Sequence, residues 1–385
     1  DLPQLPIVRR SELLESGHEG HLRRGLDPRI LRQRSTTGTT GEPLTVFSNR
    51  SEALFRKATL LDSFRRNARL RFPLRIVDVG VEHGKLGSDI AQRLGLVRIE
   101  RIFRTPPITD QALQMSRLSP ALVEGRPSSL WALAGEAERL GLSFRRPRLV
   151  VSFGEVLFPH VRRGLETAFG CRVVDYYNCE ESGNVAWECP EHEERMHVNP
   201  ATTALEIVDE RGDRTPASTV GRVLITNLFN GTMPFIRYEI GDRAARVDEE
   251  ACSCGFRGTS IRLVEGRDED FFLLPDGREI SPREAYEAIA GALACKMFGN
   301  ELYQAIRRFQ IVQETCELIV VRVVPGPAYD PHLWDGVDAS ARRLHSAIHV
   351  RVDEVDAGEF ASEGKPKQVT SRVDRATGTV GGSGS

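Results

Sequence analysis

The chain has 385 residues, 40% hydrophobic and 28% charged, with a formal net charge of −2. That length suits two or three domains, and the near-neutral balance supplies no global basic field for nucleic acid or an anionic membrane. No apolar run reaches the length of a membrane span, so neither nucleic acid nor a membrane is an expected partner. Seven cysteines, an odd number in a large chain, argue against a secreted disulfide scaffold and for a reducing, cytoplasmic setting. The chain opens at Asp1 without a methionine, so its natural start is expected further upstream, and residues 376–385, ending Gly381-Gly382-Ser383-Gly384-Ser385, read as a linker tail. Lysine is confined to positions 57, 85, 296, 365 and 367, the other basic residues being arginine.

In chain order, Ala53, Leu54, Ala58, Leu61 and Phe64 fall at helical spacing and predict an amphipathic helix over 51–70. Strands are expected at 75–80, 148–153 and 172–177, with helices near 86–94, 128–140 and 161–169 between them. Such alternation implies an α/β domain with largely parallel pairing. From about residue 204 the texture turns to hairpins, 204–208 and 221–227. Beyond Gly266 a strand at 270–274, a helix over 282–294, strands at 307–313 and 317–324, a helix near 333–347 and a strand at 349–355 suggest a small α+β unit. The expected division is therefore a large domain over 1–265 and a small one over 266–375.

The stretch Ser35-Thr36-Thr37-Gly38-Thr39-Thr40-Gly41 packs five hydroxyls and two glycines into seven residues, followed by Glu42-Pro43. Hydroxyls and backbone N–H groups in such a loop can converge on phosphate, and glycine allows close approach. A plain flexible loop has the same composition. Tyr177-Asn178-Cys179-Glu180-Glu181 follows a predicted strand. There an aromatic can cover a flat ring, and a carboxylate four residues on can hold a divalent cation beside phosphates; a solvated acidic loop is the alternative. Asp242 follows a glycine turn in Tyr238-Glu239-Ile240-Gly241-Asp242 and suits bidentate acceptance from a ribose diol, or simply closes a hairpin. Gly266-Arg267-Asp268 and Gly364-Lys365-Pro366-Lys367 supply a hinge with a phosphate-matching arginine and a lysine able to close on a phosphoryl group. Read blandly, they are a linker and a basic tail.

Cys189-Pro190-Glu191-His192 and Cys252-Ser253-Cys254-Gly255 together offer Cys189, His192, Cys252 and Cys254. A Cys3His set suits tetrahedral zinc in a structural role, because four protein ligands leave no open position. Val77–Gly84 superficially resembles a methyltransferase glycine loop but lacks its glycine spacing. Cys179 has no neighbour in sequence that would lower its pKa, so it reads as lining, not nucleophile.

Taken in order, these motifs resemble the adenylate-forming enzymes of the phenylacetate–CoA ligase type, including the related synthetase that adenylylates a deazaflavin coenzyme. The resemblance runs from about Leu5 to Arg372 and also draws on Gly221–Asp242 and Arg308–Glu314. It implies a large N-terminal α/β adenylation domain with a mobile, small α+β C-terminal lid. By that resemblance Ser35, Thr36, Thr37, Gly38, Thr39, Thr40 and Gly41 would hold the ATP phosphates. Gly154-Glu155 would lie near the adenine and acyl pocket, Tyr177 against adenine, and Glu181 at Mg²⁺. Asp242 would take the ribose hydroxyls, Arg267 phosphate or ribose, and Lys365 the carboxylate and α-phosphate. The cysteine and histidine set matches the family's zinc pattern. The implied reaction is ATP-dependent activation of a small carboxylic acid, aromatic by family precedent, with coenzyme A as acceptor. An amine, a carrier protein or another nucleophile is the alternative acceptor, a non-catalytic nucleotide-binding module the second alternative, and a homodimer is compatible. The chain departs from the family where the loop's usual lysine is Glu42 and where the usual Tyr-Gly pair is Tyr177-Asn178.

Overall fold

A computed structural model of the chain describes residues 2–36, 43–68, 70–81, 90–247, 251–267, 270–291, 305–356, 358 and 368–374. The chain divides into two compact units. The first takes residues 1–133, 142–157 and 165–264; the second takes 134–141, 158–164 and 265–385.

The first unit begins with helix α1 (Arg10–Glu15) and the hairpin β1 (Arg32–Ser35) and β2 (Thr45–Ser48), followed by α2 (Arg50–Ala68). In chain order there follow β3 (Leu74–Val81), α3 (Ile90–Arg93), β4 (Val97–Phe103), α4 (Ile108–Ser116), β5 (Leu122–Gly125), α5 (Pro127–Arg139), β6 (Leu149–Phe153), α6 (Pro159–Phe169) and β7 (Val173–Cys179), with residues 134–139 of α5 and 159–164 of α6 counted in the second unit. Each strand of this run returns through a helical crossover, so β4, β3, β5, β6 and β7 lie side by side and parallel. Their apolar side chains form one core with Phe64 and Leu70, including Ile76, Leu122, Val151, Val174 and Tyr176. That burial explains the apolar runs the sequence shows at these strands.

From β7 the pairing turns antiparallel through β8 (Gly183–Glu188), β9 (Met196–Val198), β10 (Thr203–Val208), β11 (Val220–Asn227), β12 (Tyr238–Arg246) and β13 (Ser260–Arg267). The eleven-stranded order is β10-β11-β12-β13-β9-β8-β7-β6-β5-β3-β4. The sheet is thus mixed, parallel along the strand–helix run and antiparallel where the sequence turns to hairpins, as at 203–208 and 220–227. A second core, including Leu44, Phe47, Val185, Val198, Ile225, Phe235 and Tyr238, fills the antiparallel half. The N-terminal segment joins it through Arg237, whose Nη1 donates to the carbonyls of Leu5 at 2.6 Å and Pro3 at 3.0 Å.

In the second unit β14 (Phe272–Leu273) pairs with β15 (Glu279–Ile280), and α7 (Pro282–Ile289) opens with a Ser281–Glu284 capping box. A four-stranded sheet follows, in the order β18-β17-β16-β19, from β16 (Ile306–Gln313), β17 (Leu318–Pro325), β18 (His349–Glu354) and β19 (Val369–Ser371). The helix expected near 333–347 is shorter: a 3-10 turn at Pro331–Trp334 and α8 at Val337–Ala341, separated by Gly336 at φ +86°. A left-handed glycine interrupts the helical run there. Phe158, His160, Tyr286 and Phe309 stack within this unit. Burial holds the His160 imidazole down to about 4, so it packs as a neutral ring. No helix among the described residues is long and apolar enough to cross a membrane.

Candidate active site and metal centre

The β7–β8 hairpin carries the first group of candidate residues. Its register pairs Tyr177 with Ala186 and Cys179 with Gly183, leaving Glu180, Glu181 and Ser182 at the turn. Tyr177 reaches across to β12, where its hydroxyl donates to Asp242 Oδ2 at 2.5 Å. In the sheet order β8, β9 and β13 stand between their strands. A flat sheet would put four strand spacings, about 19 Å, between them, so the antiparallel half curls over to bring the two together. Burial first, and then the Asp242 carboxylate, push the Tyr177 phenol well above its ordinary value.

Glu181 is buried at the same turn, and its carbonyl accepts from Asn227 Nδ2 at 2.7 Å. The Ser182 hydroxyl bonds Thr203 Oγ1 at 2.6 Å, and its amide donates to Cys179 Sγ at 3.2 Å. Burial, with Glu181 nearby, pushes the Cys179 thiol well above its usual range, which agrees with a lining role and not a nucleophilic one.

Arg56 on α2 holds this turn from outside. Its Nη1 donates to the Glu180 carbonyl at 2.6 Å, and its Nη2 donates to the Cys179 carbonyl at 3.2 Å and to Glu180 Oε2 at 3.1 Å. Gly183 has φ +76°, and a Cβ there would stand 2.9 Å from Arg56 Cγ. The glycine therefore serves both the turn and the arginine. Arg34 at the end of β1 approaches the same carboxylate, 3.6 Å from Glu180 Oε2. Arg34, Ser48, Glu52, Arg56, Glu180 and Glu181 are among the residues lining one pocket.

The root of the Ser35–Gly41 stretch is ordered. Thr36 Oγ1 accepts from the Leu44 amide at 3.0 Å and from Arg10 Nη2 at 3.2 Å, and the Thr36 amide donates to the Leu44 carbonyl at 2.9 Å. Ser35 is exposed at the end of β1, while Thr37, Gly38, Thr39, Thr40 and Gly41 lie outside the described residues, as do Asp268 and Lys365. Arg267 is placed by its backbone at the end of β13. Gly154 adopts φ +75° after β6. Glu155 Oε2 accepts from the Ser128 amide at 3.1 Å, in the first turn of α5. The structure thus groups Tyr177, Glu181 and Asp242, and adds Arg34 and Arg56, which the motif reading passed over. An arginine entering a hydroxyl-rich loop that lacks lysine is the sequence signal that marks Arg34; Arg56 has no comparable mark.

A separate cluster forms where β8 ends. Ligand atoms of Cys189, His197, Cys252 and Cys254 all lie within 4.8 Å of one another. Cys189 Sγ and Cys252 Sγ are 3.4 Å apart, and His197 Nε2 is 3.2 Å from Cys254 Sγ. The expected fourth donor is corrected here: His192 Nε2 bonds Ser253 Oγ at 2.7 Å on the exposed side, and His197 takes its place. The cause is the register of β9 on β13, which pairs His197 with Ser260. Ser260 Oγ then bonds His197 Nδ1 at 3.1 Å, leaving Nε2 for the cluster. Phe256 stacks on the same ring at 4.1 Å. Burial, with Arg195 and His192 adding to it, holds His197 down to about 4, so the imidazole is a neutral donor at physiological pH. Three thiols and one neutral imidazole are a donor set suited to zinc. The short Cys-x-x-His spacing hid His197, which lies within β9, Met196–Val198.

No family model matches the chain. Protein CapK of Staphylococcus aureus is 21% identical over 296 residues, covering 70% of this chain and 60% of that protein. The chain therefore spans less than two thirds of that relative's length. Among solved structures, 2-hydroxyisobutyryl-CoA ligase in the postadenylation state with R3-HIB-AMP superposes with a TM-score of 0.72 at 19% identity, covering 97% of this chain and 81% of the ligase. Anthranilate CoA ligase AuaEII in complex with anthranoyl-AMP gives 0.60 at 15% identity, covering 84% and 63%. ATP-bound MatB from Rhodopseudomonas palustris gives 0.57 at 16% identity, covering 84% and 64%. The fold of this chain is that of the acyl-CoA and adenylate-forming ligases.

Proposed function

We propose that the chain activates a small carboxylic acid with ATP through an acyl-adenylate and passes the acyl group to the thiol of coenzyme A, as an enzyme of the phenylacetate–CoA ligase type. The observation that carries this reading is the convergence of Tyr177, Asp242 and Glu181 from strands distant in the sheet order. An aromatic ring, a diol acceptor and a buried acid then lie together in the fold of ligases solved with acyl-AMP or ATP.

The substrate carboxylate oxygen attacks the α-phosphorus of ATP, the bond to the β-phosphate oxygen breaks, and pyrophosphate leaves. The thiolate then attacks the acyl carbon, AMP leaves, and the thiol proton passes to solvent. Tyr177 would cover adenine while its hydroxyl steadies Asp242 for the ribose diol. Gly154 and Glu155 would border the acyl side, and Ser35, Thr36 and the following loop the phosphates. Lys365 would bridge carboxylate and α-phosphate, and Arg267 would contact phosphate or ribose. Residues 1–265 would act as the adenylation domain and 266–375 as its lid, closing for the first step and turning for the second. Mg²⁺ at Glu181 would neutralise charge on the transferring phosphorus. Zinc would be held by Cys189, His197, Cys252 and Cys254 in a purely structural role. The setting would be cytoplasmic, and a carrier protein or an amine would be the alternative acceptor.

Exchange of radiolabelled pyrophosphate into ATP, over a panel of aryl, alkyl and amino acids, tests the adenylation step. Exchange should depend on one acid and fall by about a hundredfold or more in Lys365→Ala, the loss of one transition-state cation. Exchange undiminished in that variant would remove the assigned role of Lys365.

A further inference from the structure

Two arginines meet one carboxylate at the pocket that Glu181 also lines, and they are not equivalent. Arg56 has a side chain 20% exposed and spends its guanidinium on two backbone carbonyls as well as on Glu180. Arg34 has a side chain 47% exposed and approaches Glu180 Oε2 only to 3.6 Å, an ion pair longer than a hydrogen bond. Glu180 therefore keeps a partner when Arg34 moves. Arg34 also leads directly into Ser35–Pro43, and it is the only basic residue from 34 through 43, where Glu42 supplies negative charge.

We propose that Arg34 is a phosphate-contacting cation beside the β7–β8 turn, exchanging its ion pair with Glu180 for the β- and γ-phosphate oxygens of ATP, while Arg56 stays behind to hold Glu180 and the turn. The inference rests on the nucleotide reading given above. Guanidinium geometry matches phosphate oxygens in a two-pronged contact. Exchanging an exposed ion pair for a polyphosphate is favourable because surface ion pairs are weak and charge-assisted hydrogen bonds to phosphate are strong. Glu180 thus acts as a parking place that keeps Arg34 oriented toward the pocket before ATP arrives.

Calorimetric titration of the full chain with MgATP, inorganic pyrophosphate and AMP tests this, using wild type, Arg34→Gln and Arg34→Lys. Arg34→Gln should weaken MgATP and pyrophosphate by about tenfold or more, the loss of a charged contact. AMP, lacking the outer phosphates, should bind within about twofold of wild type and so also reports that the variant is folded. Arg34→Lys should recover part of the loss, since it restores charge without the fork. Equal losses for AMP and MgATP, or no loss for either, would overturn the role of Arg34 while leaving nucleotide binding intact. A wild-type protein that binds none of the three ligands would overturn both the nucleotide reading and this one.

Discussion

The two ends of β8 carry the two clusters of interest, and they are held in different ways. At its start, the turn with Glu180 and Glu181 is fixed by protein groups: Arg56 spans two carbonyls and a carboxylate, and Gly183 makes room for it. At its end, Cys189 joins Cys252, Cys254 and His197, with thiol sulfurs within contact of each other. At the first end the Glu180 carboxylate is paired with Arg56 and Arg34. The second gathers three thiols and one neutral imidazole, a donor set suited to zinc. One strand thus links a turn held by an arginine to a cluster of four metal-ligating side chains.

The largest expected effect breaks the second end. Cys252→Ser, or extraction by a strong chelator, should lower unfolding free energy by more than about 4 kcal/mol, in the range of mutations that remove a structural metal. Elemental analysis of protein purified without chelator should find about one equivalent of zinc per chain. His192→Ala should leave that stoichiometry unchanged and His197→Ala should abolish it. Retention of metal in His197→Ala would reverse the assignment of the fourth ligand.

The next effect tests the first end. Arg56→Ala should cost about 2–3 kcal/mol, because two half-buried carbonyls lose a charged donor. Gly183→Ala should cost about 1–2 kcal/mol for the left-handed backbone alone, and more in the presence of Arg56, whose Cγ lies 2.9 Å from the added Cβ position. In the double variant the steric share disappears, so denaturant melts should give a total smaller than the sum by about 1 kcal/mol. Strict additivity would mean that the arginine does not pack on that glycine.

The same contrast explains what could be read from the chain. Crossover helices and apolar strands such as Leu149–Phe153 carry their period and burial in local sequence, so the parallel half was legible. Tyr177, Glu181 and Asp242 were legible as motifs, but their meeting depends on the curl of the antiparallel half, which no local period encodes. His197 escaped because the register of β9 on β13, not spacing along the chain, selects it over His192. Arg56 escaped for a related reason: on α2 it looks like any exposed helical arginine, and only tertiary packing delivers it to a turn more than 120 residues away. Pairwise spacing finds ligands that are neighbours in sequence, and tertiary register decides the rest.

The smallest effect concerns the contact that joins the two halves of the candidate site. Tyr177→Phe keeps the ring and removes only the hydroxyl that donates to Asp242. The expected cost is about 1–2 kcal/mol at neutral pH, that of one hydrogen bond to a charged acceptor. Its pH dependence has a definite sign. The folded phenol is held well above its ordinary value by burial and by Asp242, so the unfolded chain gives up that proton at lower pH than the fold does. Wild-type stability from this group is complete below the unfolded value near 10 and declines as pH rises above it. The phenylalanine variant has no such decline, so the gap between the two proteins should narrow above that pH. Denaturant melts on both sides of pH 10 measure it. A gap that stays constant or widens would mean that the phenol is not held neutral against Asp242, and the antiparallel half would then need another explanation for bringing β7 and β12 together.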